Sequence, residues 1–246
     1  RDDRRIDSRE PTMNLRDRDL NFRLPPLRPS VSIDPYAAWL RVNGWNPRSE
    51  SDLYRRLALI RTQLPKISIV MPVYNPPFRF FTQAIRSIKC QLYPHWELCL
   101  ADDASADQQV KPYLVELAKD PRISVCFREN NGHISAATNS AAQLATGDFI
   151  LLMDQDDELT VNALAEVALA IANNAELDLI YSDCDKIDAS GYRYDPHFKP
   201  DWSPELLLSY MYAGQVLVVR RTLFEKVGGM RQGFEGSQDH DLALRI

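Results

Sequence analysis

The 246-residue sequence contains no apolar run approaching the roughly 18–20 residues of a membrane-spanning helix. Its start is charged and lacks the apolar segment of a secretory signal. Charge of one sign is not in large excess either. The formal net charge is −5, so no overall basic field draws the chain to nucleic acid or an anionic membrane surface. Cysteine is sparse: Cys90, Cys99, Cys126 and Cys184 stand far apart, mostly in apolar segments. They show neither metal-ligand spacing nor a small-domain disulfide framework, which predicts free thiols in a reducing, cytosolic compartment. Two nucleotide signatures are also missing. The lack of G-x-G-x-x-G and of G-x-x-x-x-G-K-[ST] argues against a dinucleotide redox site and a P-loop.

What is present is enough apolar sequence, 45%, for a sizeable core: one main domain with appendages. Residues 1–30 hold eight Arg and six Asp or Glu with little apolar periodicity, and read as a disordered or surface-draped lead-in. Asp34 or Ser32 caps an expected helix over residues 35–42, and a second helix is expected over 51–62. Residues 1–63 thus form an N-terminal extension, first disordered and then helical, packed outside the main domain or linking it to something upstream. From Pro65 strands alternate with helices. Strands are expected at 67–71, 96–101, 123–127, 149–153 and 177–181, with helices at 80–91, 110–118, 134–145 and 162–173. Pro72, Pro76 and Pro77 are expected to stop the first strand. Four or five such repeats in about 115 residues predict a mostly parallel, doubly wound sheet. Its right-handed crossovers bring the strand ends to one edge, so the loops at Tyr74, Asp103, Gly132 and Asp154 converge on a single cleft.

The acidic cluster Asp154-Gln155-Asp156-Asp157 falls just past the carboxyl end of an apolar strand. Clustered carboxylates repel one another and suit a hard divalent ion that also carries phosphate oxygens; a solvated acidic turn is the alternative. An EF-hand is excluded, because the required glycine and the closing Glu at position twelve are missing. The first strand ends in a Tyr-Asn loop and the second in Asp-Asp. A carboxylate accepts from a base's imide N–H and an aromatic ring stacks on it, so the set implies a nucleoside-diphosphate ligand.

Four segments, in order, resemble the motifs of family 2 glycosyltransferases: 66–75 (KISIVMPVYN), 101–107 (ADDASAD), 154–157 (DQDD) and 236–242 (GSQDHDL). The similarity covers roughly residues 64–246. It is strongest to the bacterial branch that builds O-antigen and other surface polysaccharides, to which 131–140 (NGHISAATNS) and 198–202 (FKPDW) are also similar. The resemblance implies an inverting enzyme of the GT-A fold, an α/β doubly wound, mostly parallel sheet flanked by helices. It implies that Pro72 and Tyr74 line a base pocket with Asn75, that Asp103 hydrogen-bonds the base and that Asp102 supports the loop. Gly132, His133, Asn139 and Gln155 fall on the donor side. Asp156 would ligate Mn²⁺ or Mg²⁺, Asp154 would hold the ribose or the metal's water shell, and Asp239 matches the general base. Asp183, Lys186, Lys199 and Gln238 are candidates for the acceptor side, against a solvated charged turn for the first two and an exposed lysine for Lys199.

The implied partners are a UDP-, dTDP- or GDP-sugar donor and a glycan or lipid-linked glycan acceptor, with no nucleic acid. The implied setting is the cytoplasm or the inner face of the membrane, in a chain that belongs to a longer multidomain protein. The sequence stops at Ile246, seven residues past Asp239, where the family continues with more helix and a later His. That motivates the alternative of a nucleotide-sugar-binding module without turnover. A sugar nucleotidyltransferase is a second alternative, though it would want a Gly-rich, Lys/Arg-bearing loop in place of 74–77 (YNPP). Two departures stand out. Gln238 replaces the usual Glu before the base, and Ala137-Thr138-Asn139 replaces Ala-Arg-Asn.

Overall fold

Strand β1 (Ile67–Val73) lies inside the sheet with both faces covered, as its near-continuous apolar sequence requires. The computed structural model describes residues 34–60 and 64–246. The Arg-Asp-rich lead-in and the expected end of the second helix near Thr62 lie outside them. β1 pairs in parallel with β2 (Trp96–Asp102) and β4 (Phe149–Leu152), and β2 pairs in parallel with β3 (Ile123–Phe127). Beyond β4 comes β8 (Leu217–Arg220), antiparallel to it, and then β5 (Leu179–Tyr181), antiparallel to β8. The six-stranded order is therefore β3-β2-β1-β4-β8-β5, with β5 running in the same direction as β4.

Alternation along β1 divides the core. Ile67, Ile69 and Met71 join Phe81, Ile85 and Ile88 of α3 (Phe78–Lys89) and Leu164 and Ala168 of α6 (Ala163–Asn173) on one face. Val70 joins Ala141 of α5 (His133–Ala142), Phe224 of α8 (Arg221–Lys226) and Leu242 of α9 (Gln238–Arg245) on the other. The helix α4 (Val110–Leu117) packs beside β3 and adds Leu114 to the first face.

Pro72 corrects one expectation, because β1 continues through it to Val73, with Pro72 opposite Ala101 of β2. The reason lies in the ladder. The Val70 carbonyl accepts from Met153 N on the β4 side, and pairing with β4 ends at Leu152. Pro72 turns the same way two residues later, where no partner asks for its missing N–H.

The N-terminal helices pack against the rest of the chain. α1 (Pro35–Asn43) is capped by Asp34, whose Oδ1 accepts from Tyr36 N at 2.9 Å. α2 (Pro47–Leu59) starts four residues before the expected position, because Asn46 caps it, accepting from Arg48 N and Ser49 N, and Pro47 fits its first turn. Leu53, 1% exposed, joins the main core, and Arg56 grips both oxygens of Glu166 on α6 at 3.0 and 2.8 Å. α1 packs on a separate two-stranded hairpin, β6 (Cys184–Ile187) with β7 (Arg193–His197). Tyr36 hydroxyl donates to Asp185 and Tyr192 hydroxyl to Asp34. Of the two residues weighed as a solvated charged turn, Lys186 lies on β6, exposed and paired with Asp195 at 2.6 Å, and Asp183 stands just before that strand. No described helix is long and apolar enough to cross a membrane.

Candidate functional site

The carboxyl ends of the parallel strands open into one cleft of about 410 Å³. It is lined by Pro72, Val73 and Tyr74 from the β1 end, Asp103 after β2, Asn131, His133, Ile134 and Ala137 around the start of α5, and Asp154, Gln155 and Asp156 after β4. A second hollow of about 20 Å³ shares Pro72, Ile134 and Asp154 with the cleft and adds Gln238 and Asp239 from the start of α9. Asp154 therefore joins the acidic loop to Asp239.

The loops are held by side chains acting as backbone. Gln155 presents its amide to Tyr74 as a strand partner would: Oε1 accepts from Tyr74 N at 2.8 Å and Nε2 donates to Tyr74 O at 3.2 Å. Asn75 Oδ1 accepts from Ala106 N and Asp107 N at 2.8 and 3.0 Å. Asp102, buried, accepts from Ser105 N at 3.2 Å. Around the rim Asn75, Ala104 and His133 sit at φ of 40°, 60° and 63°, in the left-handed region that non-glycine residues enter at a cost of about 1–3 kcal/mol each. Asn75 is held there by its bonds across to the β2 loop, including its own N–H to Ser105 Oγ at 2.9 Å.

Asp103 is 1% exposed and still borders the cleft. Its Oδ1 accepts from Arg128 Nε at 2.7 Å, and both its oxygens face Gly132 N at 3.0 and 3.1 Å. Arg128 Nη1 also donates to Ala136 O at 3.1 Å and Ser140 Oγ at 2.5 Å, tying β3 to α5. A side chain at Gly132 would collide with the Arg128 guanidinium, so the glycine is what lets the clamp close. No motif marks Arg128. Its one sequence signal is that it follows Phe127, the last residue of a strand whose end faces the cleft.

The acidic loop is electrostatically loaded. Asp154 opens on the cleft, but removal from water by the surrounding protein, then the charges of Asp157, Asp239 and Asp156, push its pKa up to about 7. Burial and the Asp156 charge push Asp157 up to about 6, against a backbone hydrogen bond from Asp154. Burial also raises Asp239, while the Gln238 amide, donating to its Oδ2 at 3.2 Å, works the other way. Among the described residues no three His, Cys, Asp or Glu side chains form a ready-made metal cage. The donor set nevertheless fits a hard cation: oxygen-only, on one loop, with carboxylates whose charges work against one another.

A carboxyl whose folded pKa lies above its unfolded value stabilises the fold while protonated, and that contribution is lost as pH rises through the folded pKa. From about pH 4, where the unfolded carboxyls ionise, to about pH 7, the metal-free protein should therefore lose stability, levelling off once Asp157 and then Asp154 have ionised in the fold. Urea midpoints across this range check it. Asp154→Asn with Asp157→Asn should flatten the curve, and an equally steep slope in the double variant would contradict the assignment.

Several candidates lie elsewhere. Asn75 does not line the cleft, its carbonyl being spent on the β2 loop. Asn139 is likewise engaged away from it: Nδ2 donates to Met230 O at 2.7 Å and Oδ1 accepts from Met230 N at 2.9 Å, pinning the loop before α9. Asp183 accepts from Lys199 N at 2.7 Å. Lys199 is no exposed lysine. Its half-buried ammonium donates to the carbonyls of Gly214 and Gln215, and burial lowers its pKa. Gln238 caps its own turn, accepting from Gly236 N at 2.6 Å while holding Asp239.

Comparison with known proteins agrees with this architecture. Residues 68–234 match the model of glycosyl transferase family 2. The chain is 44% identical over 207 residues to the protein y4gI of Sinorhizobium fredii, covering 83% of this chain and 23% of that one. It is 40% identical over 223 residues to the O-antigen biosynthesis protein RfbC of Myxococcus xanthus, covering 90% and 17%. The chain thus spans about a fifth of the length of these relatives. Among solved structures, the 1–349 fragment of S. aureus TarS superposes with a TM-score of 0.60 at 21% identity, over 73% of this chain and 54% of that one. A mannosyltransferase of Pyrobaculum calidifontis, in complex with GDP-Man and Mn²⁺, superposes with a TM-score of 0.58 at 17% identity, over 79% and 58%. These neighbours share the GT-A fold. On the family match, the identity to its relatives and the sheet just described, this chain belongs to glycosyl transferase family 2 and carries a transferase domain of GT-A architecture.

Proposed function

We propose that the domain moves a sugar from a nucleoside-diphosphate donor to a hydroxyl of a growing surface glycan, O-antigen or similar, with inversion at the anomeric carbon. The observation that carries the reading is the meeting of the cleft with the Asp239 carboxylate through Asp154 at one sheet edge. The half-exposed Tyr74 ring offers a face for the base. Asp103, though bonded to Arg128 and Gly132, keeps lone-pair capacity for a base N–H. The O-antigen protein among the relatives and the nucleotide sugar in the mannosyltransferase neighbour support the same reading.

Asp239 would take the proton of the attacking hydroxyl. Its raised pKa makes it a stronger base than a free carboxylate, and the Gln238 amide steadies one of its oxygens. Attack opposite the leaving diphosphate inverts the anomeric carbon in one step. Asp156 with Asp154 would hold Mn²⁺ or Mg²⁺, which when bound supplies positive charge against the diphosphate.

Thermal unfolding with a panel of UDP-, GDP- and dTDP-sugars, with and without Mn²⁺, tests the reading. A donor at 100 times its Kd should add about 2.7 kcal/mol, so one base class should stand out and need the cation. No shift with any donor would overturn it.

A further inference from the structure

Trp202 lies on the segment between β7 and α7 (Pro204–Ser209), and 51% of its surface is exposed. An indole on a solvated loop normally moves with it; this one is held from below. Tyr181 hydroxyl donates to Pro200 O at 2.7 Å, and the hydroxyl of the buried Tyr212 accepts from Ser203 N at 2.8 Å. The backbone is thus pinned on both sides of Trp202, whose ring lies 6.3 Å from that of Tyr181 and 6.4 Å from that of Tyr212. Position adds a second argument. Tyr181 ends β5, which runs parallel to β4, so it stands at the same sheet edge as the acidic loop, separated only by β8. α7 in turn meets α9, where His240 Nε2 lies 2.5 Å from Leu207 O, one residue beyond Asp239.

The surroundings select the occupant. Asp183 and Asp201, both exposed, lie close enough to Tyr181 to act on its hydroxyl. An aromatic face flanked by carboxylates suits a neutral sugar ring, whose C–H face meets the π cloud while its hydroxyls donate to the acids. The same negative charge opposes an anionic membrane.

We propose that Trp202 is a stacking platform for a pyranose ring of the acceptor glycan, leading its hydroxyl toward Asp239. This rests on the glycosyltransferase reading above. The test uses the donor picked out by thermal unfolding and, as acceptors, disaccharides of glucose, galactose, rhamnose and N-acetylglucosamine. Trp202→Leu, which fills space without a π face, should raise acceptor KM about tenfold. Donor KM and acceptor-independent donor hydrolysis should stay as in the parent, and Trp202→Phe should restore most of the acceptor KM. Equal acceptor KM in the Leu and Phe variants overturns the proposal, as does an unchanged KM in both. Flotation with phosphatidylglycerol–phosphatidylethanolamine vesicles that depends on Trp202 while acceptor KM does not would assign a membrane contact instead. If the parent turns over no donor, the earlier reading fails separately. Saturation-transfer NMR from the parent and the Leu variant to the disaccharides then decides: transfer lost with the indole supports the platform, and equal or absent transfer overturns it.

Discussion

Asp239→Asn should lower nucleoside-diphosphate release by about 10²–10⁴-fold, with donor KM little changed. The amide keeps the shape and can still meet the Gln238 side chain 3.2 Å away, so the start of α9 is preserved. What disappears is the acceptor for the hydroxyl proton. Burial lifts this carboxyl above its usual range, and Asp154, itself lifted by the Asp239 charge, should become easier to ionise once that charge is gone. The variant should therefore show loss of kcat together with unimpaired or stronger cation-dependent donor binding. A proportionate rise in donor KM would instead place Asp239 among the donor contacts.

The second large effect is on the fold. Arg128→Met should destabilise the protein by about 3–5 kcal/mol, because it strands the Asp103 carboxylate, 1% exposed, with only Gly132 N for company. Adding Asp103→Asn should recover much of that loss, since the remaining side chain carries no charge to bury. Urea unfolding of the two single variants and the double variant measures the coupling. Simple additivity would mean that the ion pair contributes nothing specific. Because Asp103 borders the cleft, Arg128→Met should also weaken donor binding, linking stability to function at one residue.

Much of this was legible in the sequence, for identifiable reasons. Strands buried on both faces leave near-continuous apolar runs, and β1, β2 and β4 announce themselves that way, whereas β3, at the sheet edge, buries only Ile123. Phe81, Ala84, Ile85 and Ile88 repeat at helical spacing and are all buried. The convergence of the loops at Tyr74, Asp103 and Asp154 follows from parallel topology alone. What failed to show was antiparallel or polar. β8 is four residues long and breaks the strand–helix rhythm, and β6 and β7 carry charges and Pro196 on a sheet of only two strands. Within the site, residue type identified chemistry better than use. The amides of Asn75 and Asn139 look like ligand contacts, yet each satisfies backbone groups of a neighbouring loop. Arg128 escapes a sequence reading because no pattern announces a residue whose role is to tie the loop after β2 to α5.

The central claim is that the acidic loop and Asp239 form one sugar-transfer site. Nucleoside-diphosphate release, followed over many turnovers with Mn²⁺ or Mg²⁺ and compared between the parent and Asp156→Ala, tests it most directly. Sustained, cation-dependent release that is lost in the Asp156→Ala variant is the predicted result. Tight donor binding with no release by the full-length protein, across the acceptor panel, would contradict it and leave a nucleotide-sugar-binding module.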